Sequence, residues 1–273
     1  MHGHGGGGGA ETLELMLLGI AALTVVAYAS GVLMSRRQGR AWSTDRLGLW
    51  ALGIAVATPT VVGDLAERAR DDFVAHMGAH LAAGMLAPLL LVLAAPVTLA
   101  LRTLHVTPAR RLSRLLRSAP VRFIAHPITA AILSSGGLWL IYLTPIFPAM
   151  QASFLVHVLV QGHLLVAGFV FTSAVIGADP SPHPPRWLMI SIVLVLSMAS
   201  HAVLAKYLYA YPPSGVPIAA AQQGAQLMYY AGAAIEAVIV VIFCAQWYRA
   251  AGRGRRSPGR RRLVGPAQLE RAR

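Results

Sequence analysis

Long apolar runs, broken by short polar connections, set the pattern of this chain. About twenty consecutive apolar residues cross a bilayer as a helix. Seven stretches reach or approach that length, at 12–34, 47–63, 73–101, 123–143, 150–176, 187–209 and 224–248. The second is short, while the third and fifth are long enough to tilt or protrude. Pro59, Pro88 and Pro96 lie inside runs and predict kinks, which membrane bundles tolerate. No internal repeat is visible, which argues against an inverted-repeat transporter. The pattern predicts an all-α integral membrane protein, a bundle of seven transmembrane helices occupying 12–248. A flexible His/Gly-rich tail at 1–11 precedes it, and a basic tail at 249–273, expected to be disordered, follows.

Composition sharpens this reading. Hydrophobic residues make up 56% of the 273 and charged residues only 12%. A soluble domain carries about twice that charge, and a disordered chain could not leave so much apolar surface in water. The formal net charge of +13 comes from 22 arginines and Lys206 against ten acidic residues. A basic balance in a soluble protein would suggest nucleic-acid binding, but no base-contacting module is present. Here the arginines mark topology. Twenty of the 22 fall in connections 35–46, 102–122 and 177–186 or after 248, all on one side of a seven-span arrangement. The other side receives only Arg68 and Arg70, beside Asp64, Glu67, Asp71 and Asp72. The positive-inside rule makes the arginine side cytoplasmic, with the N-terminus outside and the C-terminus inside. The first run has Glu11 and Glu14 before it and arginines after it, the reverse of a signal peptide, so it reads as an uncleaved helix.

Ionisable groups inside a membrane are costly and mark function. His76 and His80 lie near the outer end of the third span, His157 and His163 in the fifth, His201 in the sixth. His76 and His80 are four apart and share a helix face. At about 1.5 Å per residue, His80, His157 and His201 each lie roughly 10–13 Å below the outer ends of their helices. His163 is roughly 9 Å deeper than His157 and about 120° round the helix, which makes it a deeper ligand or a supporting group. Met77 lies between the third-span histidines and is a candidate soft ligand; Met85, Met150 and Met198 also fall in or near spans. Imidazole with thioether suits Cu(I), whereas zinc sites more often add Cys or carboxylate. The lone Cys244 excludes a CxxC metal or redox motif. Glu236, deep in the seventh span, is the only carboxyl at such depth and a candidate to orient a ligand histidine. His126 and His105 flank the fourth span and its preceding connection, His183 follows the fifth, and His2 and His4 lie in the outer tail. No Ser-His-Asp set, HExxH or phosphate-cradling loop is present, and no enzymatic activity is expected.

These residues also carry a resemblance. Phe73-Val-Ala-His76-Met77-Gly-Ala-His80-Leu, followed by Ala87-Pro88 and Ala95-Pro96, resembles the third-span signature of the multi-spanning CtaG family of cytochrome c oxidase assembly factors, linked to caa-type oxidases. His126-Pro127 and Leu143-Thr144-Pro145 are similar to its fourth-span pattern. His157, His163, Gly168 and Phe171, with Ile176-Gly177-Ala178-Asp179-Pro180, are similar to its fifth span and the loop after it, and His201 to its sixth-span histidine. The resemblance runs from about residue 15 to 248.

The resemblance implies a multi-pass protein of the bacterial cytoplasmic membrane that helps copper reach a haem–copper oxidase. Its partners would be the oxidase's membrane subunit and an extracytoplasmic copper donor. Joined to the histidine pattern, it predicts Cu(I) bound between the third, fifth and sixth spans by His76, His80, His157 and His201, with His163 next in line. The alternatives are a membrane haem protein with bis-His ligation, for which iron accepts axial His, and a metal-free assembly scaffold. A copper transporter ranks lower, because the cytoplasmic half offers a polar path only His163, Glu236 and His126.

Overall fold

A computed structural model describes residues 7–177 and 186–255, and every described element is helical. In chain order these are α1 (Gly7–Arg37), α2 (Thr44–Ala57) with a 3-10 turn at Thr58–Thr60, α3 (Asp64–Asp71) and α4 (Phe73–Leu81). A π turn at Ala82–Leu86 joins α4 to α5 (Ala87–Leu93). Next come α6 (Pro96–Thr103), α7 (Val106–Leu116), α8 (Ala119–Ile124) and α9 (Pro127–Ala131), then a π turn at Ile132–Gly136. The chain continues as α10 (Gly137–Leu143), α11 (Ile146–Ala152), α12 (Phe154–Ile176), α13 (Trp187–Ala210) and α14 (Ile218–Arg255).

Among the described residues, five helical segments are long and apolar enough to cross a membrane: Glu11–Arg37, Phe73–Thr103, Phe154–Ile176, Trp187–Ala210 and Ile218–Gly252. The count rises to seven if each of two bent pairs is one span, α2 with α3 (48°) and α9–α10 with α11 (76°). The bends explain where the sequence pattern misjudged boundaries. The run at 47–63 is short because its helix turns after Pro59 into the polar α3. Met150, expected to head the fifth span, belongs instead to α11, which Pro145 and the extended Thr144 set off from α10. The last helix continues to Arg255, into the stretch expected to be a disordered tail, and the first begins at Gly7 within the expected outer tail. His2, His4, His183 and the arginines beyond 255 lie outside the described residues. The arginines of the 102–122 connection sit largely on α7 and α8, where no residue is buried.

Pro88 has consequences beyond a kink. It has no N–H to give the carbonyl of Gly84, four residues back. The chain widens there into a π turn, closed by the Ala87 N–H bonding to the carbonyl of Ala82. Pro96 acts differently: the chain breaks at Ala95, held left-handed at φ 53°, and α6 restarts. At that break the Tyr28 hydroxyl donates to the carbonyl of Ala94 at 2.7 Å and accepts from Trp42 Nε1 at 3.2 Å. This ties α1 and the α1–α2 connection to the broken span. Tyr28→Phe leaves a buried indole N–H and a carbonyl each short of a partner, so it should cost about 1–3 kcal/mol. A thermal midpoint in detergent equal to that of the native chain would contradict this.

Two apolar clusters stack along the bundle. One gathers Phe73, Met77, Leu138, Phe147, Met150, Leu164, Leu204 and Met228. The other gathers Leu89, Val92, Phe171, Val175, Ile190, Leu194, Ile239 and Phe243. Between them lies a cavity, walled by Leu138, Leu164 and Leu204 from the first and by Phe171, Leu194 and Ile239 from the second.

Candidate functional site

The remaining walls of that cavity are polar or sulfur-bearing. They are His80, Gly84, Met85, Ser134, Ser135, Trp139, Thr172, Ser197, Met198, Ser200, His201 and Glu236. Its volume is about 50 Å³, room for an ion or a few waters. Both π turns open onto it: Gly84 and Met85 belong to the first, Ser134 and Ser135 to the second. Single π turns inside α-helices recur at functional sites because they re-aim side chains.

His80 and His201 face each other across this space, with ring centroids 6.2 Å apart. His80 is buried, and neither of its ring nitrogens has a hydrogen-bond partner. Nδ1 of His201 stands 3.4 Å from Oε1 of Glu236, and its Nε2 is buried without a partner. A carboxyl beside Nδ1 favours the tautomer with its proton on Nδ1, which leaves a lone pair on Nε2. Gly232 makes room for this ring; a Cβ there would strike it. The serines are partly occupied with one another: Ser135 Oγ and Ser197 Oγ are 2.9 Å apart, and Trp139 Nε1 donates to Ser200 Oγ at 2.9 Å.

The other sequence candidates sit elsewhere. His76 is buried among Phe73, Tyr142 and Phe147. The Tyr142 hydroxyl lies 3.1 Å from His76 Nε2 and 3.5 Å from Met77 Sδ, and the tautomer of His76 sets whether the hydroxyl donates to the ring or accepts from it. Met77, expected as a soft ligand, is fully buried in the apolar core and engaged with Tyr142. His157 donates from Nε2 to the carbonyl of Thr60 at 2.9 Å, which leaves its buried Nδ1 unprotonated and without a partner. Gln161, one turn further along α12, is buried with both amide atoms unpartnered. His163 does not line the cavity: it is exposed, lies over Gly137, and its Nε2 donates to Leu133 in the second π turn at 3.3 Å. His126 and His105 are exposed at the starts of α9 and α7. Among the described residues no three His, Cys, Asp or Glu side chains converge as a metal shell.

Of the sequence-predicted histidines, His80 and His201 are the two that line one cavity. Metal–nitrogen bonds are about 2.0–2.1 Å, so two imidazoles sharing one ion hold their centroids roughly 6 Å apart, in line with the observed separation. The buried, unpartnered ring nitrogens fit such an ion, and two nitrogens suffice for a monovalent, low-coordinate ion such as Cu(I). Sequence reasoning missed the serines, Trp139 and Thr172. The Ser197-x-x-Ser200-His201 spacing on one helix face was the available signal.

Comparison with known proteins places these features in a lineage. The family model described as cytochrome c oxidase caa3 assembly factor matches residues 26–250, which takes in both π turns and every cavity-lining residue. An uncharacterised protein of Mycobacterium bovis is 37% identical over 174 residues, covering 61% of this chain and 26% of the relative. One of Mycobacterium tuberculosis gives the same values. One of Mycobacterium leprae is 32% identical over 194 residues, covering 68% of this chain and 29% of the relative. The chain thus spans less than a third of the length of these curated relatives. No solved structure matches it.

Proposed function

This chain belongs to the cytochrome c oxidase caa3 assembly factor family, and from that premise we propose that it loads copper. It spans the bacterial cytoplasmic membrane seven times, with both bent helix pairs counted as spans, the N-terminus outside and the C-terminus in the cytoplasm. The arginine distribution supports this topology. It holds Cu(I) between His80 and His201 and passes it to the membrane subunit of a haem–copper oxidase, having received it from an extracytoplasmic donor. The protein acts as a carrier, not an enzyme. The observation that carries the reading is the pair of buried imidazoles 6.2 Å apart in which both nitrogens of His80 and Nε2 of His201 have no protein partner. Low coordination suits transfer, because an incoming ligand can attach before an old one leaves.

The bis-His haem alternative meets an obstacle of size. Pockets for ligands of drug or cofactor size run to about 300–1,000 Å³, against about 50 Å³ here. A metal-free scaffold would hold water in the same cavity and bind no copper, so copper loading separates the two.

Elemental mass spectrometry of the detergent-purified chain, after anaerobic Cu(I) loading and desalting, tests the reading. About one copper per chain is expected, in line with one paired site, and a metal-free protein would overturn it. Glu236 adds a finer prediction. Glu236→Gln keeps the size of the side chain and replaces the carboxyl beside His201 Nδ1 with an amide, so Cu(I) affinity should fall about 10–100-fold, as when partners of metal ligands are replaced. Competition with a chromophoric Cu(I) chelator reads this directly, and an unchanged affinity would take Glu236 out of the site.

A further inference from the structure

The cavity holds two thioethers as well as two imidazoles. Met85 and Met198 line it with His80 and His201, and each methionine comes from the same span as one of the histidines. On α13, Met198 is three residues before His201, so the two share a face. On the third span, five residues separate His80 from Met85. In a regular α-helix that spacing points side chains well apart. The π turn over Ala82–Leu86 closes its bonds five residues apart, as between Ala87 and Ala82, and so swings Met85 back toward the His80 side. The turn that Pro88 imposes thus also brings Met85 to the cavity wall.

We infer that Met85 and Met198 complete the copper shell, giving a two-imidazole, two-thioether site specific for a soft monovalent ion. The inference rests on the copper reading above and adds two ligands to it. Several observations converge on it. His, Cys, Asp and Glu alone do not assemble a three-ligand group among the described residues, so any ligand beyond the two imidazoles would come from another residue type. Thioether sulfur is the remaining soft donor on the cavity wall, and it selects Cu(I) over harder divalent ions. Thioethers carry no charge and impose no deprotonation, which suits a site walled by Leu138, Leu164 and Phe171 in the apolar bundle. Met77, the methionine nearest in sequence to the histidines, is excluded by its place in the core.

Copper K-edge X-ray absorption on the intact native chain, loaded anaerobically with Cu(I), tests this without any mutation. Both nitrogen and sulfur scatterers are expected. In parallel, Met85→Leu and Met198→Leu, which conserve volume, should each lower Cu(I) affinity at least about tenfold, a ligand counting for no less than a ligand's partner. The double variant should fall further. A nitrogen-only spectrum, with native affinity in the double variant, would overturn the thioether ligands and leave the histidine site standing. A native chain that binds no Cu(I) would overturn both.

Discussion

His80→Leu should abolish stoichiometric Cu(I) binding and leave the protein as stable as before, or more so. The two halves of this expectation come from one observation. Both ring nitrogens of His80 are buried without protein partners, so the ring contributes no hydrogen bond to the backbone or to another side chain that its removal would break. A buried polar group without a partner costs about 1–3 kcal/mol, and an apolar side chain of similar size removes that cost. A histidine retained for packing would behave oppositely: its loss would destabilise the fold and have nothing to do with copper. Affinity should drop by more than the 10–100-fold seen when a ligand's partner is replaced, since one of two nitrogens is gone. His157→Leu is the counterpart. It strands the carbonyl of Thr60, which accepts from His157 Nε2 at 2.9 Å, and should lower the thermal midpoint with a smaller effect on copper. Measuring metal content and melting on both variants separates the roles. Copper retained in the His80 variant would remove the site assignment altogether.

The contrast between these two histidines marks what was legible in the sequence. Depth along a span follows from counting residues, and counting correctly set His80 and His201 at one level. It set His157 at that level too, but depth does not say which neighbour a side chain meets. His157 turns to the carbonyl of Thr60, at a 3-10 turn that no periodicity announces. The angular offset of His163 from His157 was also readable. Its partner, the carbonyl of Leu133, already accepts from the Gly137 N–H within the π turn, and no periodicity announces that it takes His163 as a second donor. The pattern of apolar runs located every long helix, since burying backbone groups in lipid demands helices of that length. It placed boundaries poorly where a helix breaks within its apolar run, as at Thr58–Thr60 and at Ser153, where α11 gives way to α12. Pro88 predicted a kink but not the wider turn that brings Met85 and Gly84 to the cavity. That outcome depends on what packs against the freed carbonyl.

What packs there is Gly168, and Gly168→Ala should be among the most damaging single substitutions in the chain. The carbonyl of Gly84, released by Pro88, comes close against the Gly168 backbone of α12. A Cβ at Gly168 would collide with that oxygen and would approach Pro88 Cγ to 2.9 Å. Neither obstacle is the far end of a flexible side chain. One is backbone and the other a ring, so the helices must part. Overpacking of a well-filled core costs about 1–3 kcal/mol when side chains can yield, and here the cost should reach or exceed the top of that range. Because the same contact fixes the π turn, the wall of the cavity that bears His80 and Met85 should shift as well. Cu(I) affinity would then fall even in molecules that remain folded. Gly162→Ala supplies the control on the same helix: a Cβ there meets nothing within 4 Å, and alanine favours a helix over glycine by about 1 kcal/mol. Thermal melting of the two purified variants should therefore diverge in opposite directions from the native midpoint. Equal melting would show that α12 and the π turn are not in the close contact on which the cavity depends.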